Sequence, residues 1–225
     1  MTAGSAKARA APTARTSDAY TGFSVVRFHE VDCTEELLSH DLNGPYAGCR
    51  RDCRQSFRGW SVPAAERLPT SAAAQPLSRL IDYGDQTVAA CGSGVFENAL
   101  GGRVFVGGYF PWTYLQNLSR ATQLKAVVRW LSRETLPAYI ESYHKINLWT
   151  RGTAQGTSAV ALLNPSLDPA RDVVLMLRTA QTEIGVYTMA CESTAVQATG
   201  VDGSYRRFVL PTIPCWQMLL VVNGG

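Results

Sequence analysis

The sequence predicts a mixed α+β chain: a partial α/β domain over residues 21–143, then an antiparallel β-sandwich over 144–225, behind a disordered lead-in at 1–20. Three observations predict it. One segment, about Leu115 to Ser132, repeats apolar residues at helical steps. Pro137 then interrupts the chain, because proline cannot continue a helical hydrogen-bond ladder. Beyond residue 144 the texture changes to short strand-sized runs at regular spacing, punctuated by Gly, Asn-Pro, Asp-Pro and Asp-Gly.

The elements come in order. Residues 1–20 are rich in Ala, Thr and Ser and carry basic residues, without the apolar centre of a secretory signal; a transit peptide is the sharper alternative. "FSVVRF" at 23–28 reads as a strand, and Asn43-Gly44-Pro45 announces a turn. "VPAAERL", "LSRLIDY" and "TVAACGSGVFE" supply short strand-sized runs. "NALGG" has the make-up of a longer hairpin loop needing positive φ, so 88–97 and 103–109 are expected to be antiparallel neighbours. In the helix, Leu118, Ala121, Leu124, Val128 and Leu131 should share one apolar face, with Arg120, Lys125 and Arg129 largely elsewhere. Seven runs come next, from "KINLWTRG" through "SAVALLNPS", "DVVLMLRT", "EIGVYTMA", "TAVQATGV" and "YRRFVLPTI" to "WQMLLVVN".

Composition narrows the function classes. With 225 residues, 46% hydrophobic and 17% charged, the chain can bury one large core or two modest ones. A net charge of +3 with scattered arginines gives no electrostatic footprint for nucleic acid. No apolar run reaches the roughly 18 to 20 residues of a membrane span. Of the six cysteines, only Cys49 and Cys53 lie close together, a weak zinc signal without a second pair. Free thiols in a reducing compartment, and hence a cytoplasmic location, are the simpler reading.

Candidate chemistry is sparse. "CGSGVFE" at 91–97 begins like Gly-x-Gly-x-x-Gly, but Glu97 stands where a third glycine should admit a helix. No cofactor is expected. Cys91 would qualify as a nucleophile on a strand-to-helix turn with a histidine or helix N-terminus beside it, yet strand-like residues continue to Glu97. His29 and His40 lie among Glu30, Asp32, Glu35, Glu36 and Asp41 without His-x-x-x-His or His-x-His spacing, so loop or structural roles are expected and no metal site. Paired-carboxylate glycosidase chemistry lacks a scaffold, since a (β/α)8 barrel takes about 200 residues or more. Tyr109, Phe110, Trp112 and Tyr114 can form a sugar platform at a strand's carboxyl end, or can wedge the hairpin against the helix or another domain; the wedge is the simpler reading. Trp60 joins Trp112 and Tyr114 if the chain is a stand-alone carbohydrate-binding module.

"HDLNGPYAG", "RDCRQSF", "VFENALGGRVFVGGYFPW", "LKAVVRWLSRETLPAYIE" and "VALLNPSLDPARDVVLMLR" occur in that order, and together resemble the C-terminal portion of bacterial β-galactosidase-like glycoside hydrolases. The stretches from Glu97 to Arg103 and from Asn164 to Asp168 are the most distinctive. The resemblance implies a partial glutamine-amidotransferase-like, or trimerisation, α/β domain followed by a β-sandwich, with the catalytic barrel and its catalytic residues absent. It also implies a non-catalytic accessory or assembly region, with a catalytic barrel domain or further copies of the chain as partners and carbohydrate as a further ligand. A stand-alone carbohydrate-binding module is the first alternative. The second is a cysteine-dependent amidotransferase-like hydrolase using Cys91. A late-starting α/β domain would expose a sheet edge and cause self-association near Trp112.

Overall fold

A computed structural model describes residues 18–29, 33–52, 64–108, 118–152 and 158–223. The chain divides into two compact units between Leu131 and Ser132. All named strand pairings among the described residues are antiparallel. The C-terminal β architecture expected from the punctuated runs is therefore present. The mixed α/β sheet expected before it is not seen: the first unit is built on antiparallel strands, consistent with short runs joined by tight turns rather than by crossover helices.

In the first unit, α1 (Asp18–Thr21) leads into β1 (Phe23–His29), which pairs with β4 (Ala64–Pro69). A five-stranded sheet has the order β3-β2-β5-β6-β7, with β2 Thr34–Leu37, β3 Arg50–Asp52, β5 Gln75–Ile81, β6 Thr87–Glu97 and β7 Arg103–Gly107. The turn at Asn43-Gly44-Pro45 lies in a 3-10 segment, Asp41–Tyr46, where Gly44 takes φ +53°. The β6–β7 hairpin is as expected. Glu97 faces Arg103, Gly101 has φ +79°, and Asn98 Oδ1 accepts from the amides of Leu100 and Gly102.

The glycines of "CGSG" serve close packing. A Cβ on Gly94 would lie 2.3 Å from Phe23 Cζ, and one on Gly92 would lie 2.9 Å from Leu80 Cδ2. The reciprocal contact is at Gly22, where φ is +74° and a Cβ would lie 2.3 Å from Phe96 Cγ. Phe23 and Phe96, both buried, thus each seat a ring on a glycine near the other. No helix directly succeeds β6, so the motif has no phosphate-binding geometry.

The helix, α2 (Leu118–Leu131), lies where predicted but turned. Its buried residues are Arg120, Gln123 and Val127, while Leu118, Val128 and Leu131 are exposed. The expected apolar face is corrected here: a stripe at i, i+3 and i+7 is buried, but two of its three members are polar.

The second unit contains all seven predicted runs as strands, plus β8 (Ala138–Ile140). They are β9 (Asn147–Gly152), β10 (Ser158–Leu163), β11 (Val174–Arg178), β12 (Glu183–Thr188), β13 (Ser193–Asp202), β14 (Tyr205–Val209) and β15 (Met218–Asn223). Their order is β8-β11-β14-β13-β12-β15-β10-β9. The long strand β13 turns the corner: its first half pairs with β12 and its second with β14, with an irregularity between Ala198 and Gly200. The sheet consequently curls on itself, and Leu175, Phe208, Ile184, Val221, Val160 and Leu162 meet in one core.

Gly94→Ala should lower unfolding free energy by about 1–3 kcal/mol, because Phe23 must leave its seat. Gly152→Ala, where an added Cβ meets nothing within 4 Å, should change it by less than about 0.5 kcal/mol. Urea titration of both variants checks the pair.

Candidate functional site

The described structure holds a buried polar cluster and an open face with aromatic groups. The buried one begins with Glu35, a fully buried residue of β2 that faces Arg51 of β3 directly across the ladder. Arg51 Nε donates to Glu35 Oε2 at 2.6 Å, and its Nη2 donates to Gln123 Oε1 at 2.5 Å. Gln123 Nε2 then donates to Asn43 Oδ1 at 2.7 Å, and Asn43 Nδ2 donates to the carbonyls of Leu38 and Leu77. On the other side, Ser93 Oγ donates to Glu35 Oε1 at 3.2 Å and lies 2.6 Å from Ser78 Oγ. Arg120, also buried, donates to the carbonyl of Asp52.

Sequence explains the placement. Alternation in β2 puts Glu35 on the face away from Thr34 and Glu36, and α2 brings Gln123 and Arg120 over it one turn apart. Every carboxylate oxygen of Glu35 accepts a hydrogen bond, and side chains this buried offer no approach to a substrate. The network is a fastening between helix and sheet. Arg51→Leu, which strands a buried carboxylate, should cost about 3–5 kcal/mol in urea unfolding.

On the opposite side of β2, Glu36 accepts from Arg50 Nε at 3.0 Å and from Arg79 Nη2 at 2.5 Å. The Arg50 and Arg79 hydrogen bonds hold its carboxyl below the usual 4.5. A carboxyl depressed on folding adds stability that is complete above the unfolded value and fades as pH falls through the folded one. The stability difference between wild type and Glu36→Gln should accordingly be constant from pH 7 to about 5 and shrink below pH 4.5, as read from unfolding midpoints across that range.

The open place is the outer face of the second unit. Trp149 faces Ala161, Ala161 faces Leu220, and Leu220 faces Tyr187, so four adjacent strands, β9, β10, β15 and β12, contribute one row. Directly opposed residues point to the same side. Their neighbours Val160, Val221 and Val186 point inward and are buried, whereas Trp149 is 53% exposed, Leu220 42% and Tyr187 40%. Three strand intervals separate Trp149 from Tyr187, about 14 Å. A Cβ on Gly185 would lie 3.1 Å from Tyr187 Cε2, so the Tyr187 ring lies back along its own strand. Ala159 and Ala161 on the same face keep the surround low.

Trp60, Tyr109, Phe110, Trp112 and Tyr114 lie outside the described residues. Cys91 is fully buried within β6, where its thiol donates to the Ser93 carbonyl at 3.4 Å; it occupies a strand interior, not the sharp turn a nucleophile would need. His40 caps the 3-10 segment by accepting from the Leu42 amide, and its Nε2 contacts Gln75 Oε1 at 2.8 Å. Among the described residues, no three His, Cys, Asp or Glu side chains converge as metal ligands. Among the described residues, no helix is long and apolar enough to cross a membrane. Sequence reasoning missed Trp149, Leu220 and Tyr187, although strand parity carries them: in "NLWTR" and "GVYT" the aromatic alternates with inward residues.

Comparison with protein-family models and with curated protein sequences finds no match to the chain.

Proposed function

We propose that the chain is a non-catalytic accessory region of a glycoside-hydrolase-like protein, which contacts carbohydrate through the outer face of its C-terminal β unit. The observation that carries this reading is the outward-facing row Trp149, Ala161, Leu220 and Tyr187. Sugar rings have one apolar face of C–H groups, and exposed aromatic side chains match it without needing a deep pocket. Trp149, Leu220 and Tyr187 stand aligned and about half in water, and an exposed apolar row of this kind points to a surface that is covered in use.

The resemblance to the β-galactosidase-like C-terminal portion supports the accessory role, and the β-sandwich it implies accords with a curled antiparallel sheet. The amidotransferase-like reading of the first unit draws no support from an antiparallel five-stranded sheet, and the proposal does not depend on it. Partners of the same reading are a catalytic barrel domain or further copies of the chain. A cysteine-dependent hydrolase is disfavoured by the burial of Cys91.

Calorimetric titration of the purified chain with neutral oligosaccharides should give saturable binding. Trp149→Ala and Tyr187→Ala should each weaken it at least about tenfold, in keeping with ~1–3 kcal/mol for loss of an aromatic anchor. Aryl-glycosides should not be turned over. Saturable binding that ignores both substitutions, or robust hydrolysis abolished by one Asp, Glu or Cys substitution, would overturn the reading.

A further inference from the structure

The stretch from Asn164 to Asp168 is distinctive in sequence, and the structure gives it a task. Asn164, fully buried at the end of β10, donates through Nδ2 to the carbonyls of Asp168 and Ile213 at 2.9 and 3.0 Å, and to that of Pro214 at 3.3 Å. Its Oδ1 accepts from the Ser166 amide at 3.0 Å. Its backbone carbonyl accepts from the Trp216 amide at 2.9 Å, and its amide donates to the Gln217 carbonyl at 3.1 Å. One side chain and its own peptide groups thus clamp two loops together.

The clamp holds Trp216. Residues 214–217 form a turn closed by the Gln217 amide donating to the Pro214 carbonyl at 3.2 Å. The third position of that turn has φ +57°, a conformation suited to Gly or Asn, and Trp216 occupies it. The indole is nonetheless 64% exposed, so burial does not explain its placement there. A bulky residue held in a left-handed backbone at the surface is the kind of outlier from which function is inferred.

Trp216 borders an open cleft of about 480 Å³, together with Leu163, Met189, Ala190, Gln217 and Met218. None of these side chains is charged, which disfavours an ionic ligand. Leu163 and Met218 face each other two residues beyond Ala161 and Leu220, so the cleft continues the aromatic row. An indole and two thioethers offer apolar contact, and the Gln217 amide offers two N–H donors and one acceptor oxygen.

We infer that this cleft is a subsite for one uncharged sugar ring, stacked on Trp216 and hydrogen-bonded by Gln217, with Asn164 as the positioning residue. The inference rests on the carbohydrate-binding reading of the outer face and adds to it a defined anchor and a neutral ligand class.

Trp216→Gly separates binding from stability. Glycine relieves the left-handed position, so the thermal midpoint should equal or exceed that of wild type, while affinity falls at least about tenfold. The probes are neutral galacto-, xylo- and arabino-oligosaccharides with galacturonate oligosaccharides as the acidic comparison, titrated by calorimetry against wild type, Trp216→Gly, Trp216→Phe and Trp149→Ala. Trp216→Phe should retain part of the affinity. Binding weakened by Trp149→Ala but untouched by Trp216→Gly would sink the cleft and leave the outer-face reading standing. No binding by wild type to any probe would remove both. A lowered midpoint for Trp216→Gly would make Trp216 a structural residue, and preference for the acidic probes would contradict the neutral class; either result overturns the inference.

Discussion

The first unit depends on how it accommodates a carboxylate under a helix. Glu35 sits on the sheet face that α2 covers, and a buried charge is tolerable only when it is paired and its remaining lone pairs are filled. Arg51 supplies the charge, but its own donors then need acceptors, and Gln123 supplies one. Gln123 in turn reaches Asn43, which is anchored to the Leu38 and Leu77 carbonyls. Sheet, helix and 3-10 segment are tied through one chain of directional contacts. Apolar contact adds to this at Val127 with Leu77 and Val95, yet hydrogen-bond geometry decides which side of the helix faces down.

That priority explains how much of the fold is legible in the sequence. Periodicity locates α2 well but misassigns its face, because counting apolar residues gives no weight to Arg120 and Gln123, whose burial depends on partners about 70 residues away in sequence. Local signals fare better. "NALGG" specifies a hairpin loop through Gly101 and Asn98, and the seven punctuated runs after residue 144 all form strands, since turn chemistry and strand alternation are both short-range. The all-antiparallel character of the first sheet is not legible, because short apolar runs read alike whether their neighbours are parallel or antiparallel. Of the candidate site, strand alternation in the sequence can turn Trp149 and Tyr187 outward, but the row they form with Leu220 exists only once register is known.

The glycines of "CGSG" show how one sequence signature serves two kinds of physics. Paired glycines permit backbone to approach phosphate, and they equally permit a ring to lie on a strand. At Gly94 the approaching group is Phe23, and near it Phe96 uses Gly22 in the same way. The next element of the chain distinguishes the two: a helix N-terminus would leave amides free for an anion, whereas β6 is laddered to β5 on one side and β7 on the other.

The two units use their polar residues differently, and this bears on where function lies. In the first, buried Glu35, Arg51, Gln123 and Asn43 satisfy one another, so this polar cluster is internal. In the second, the core is apolar, and the buried asparagine at position 164 fastens loops that end in an exposed indole. Rigid support beneath a solvent-facing aromatic group reduces the entropy lost when that group is covered by a ligand. The curled sheet does the same for the row beside it, because Trp149, Leu220 and Tyr187 stand on strands whose inward neighbours are locked in one core. Preorganised apolar surface in the second unit makes its outer face the place to look for recognition.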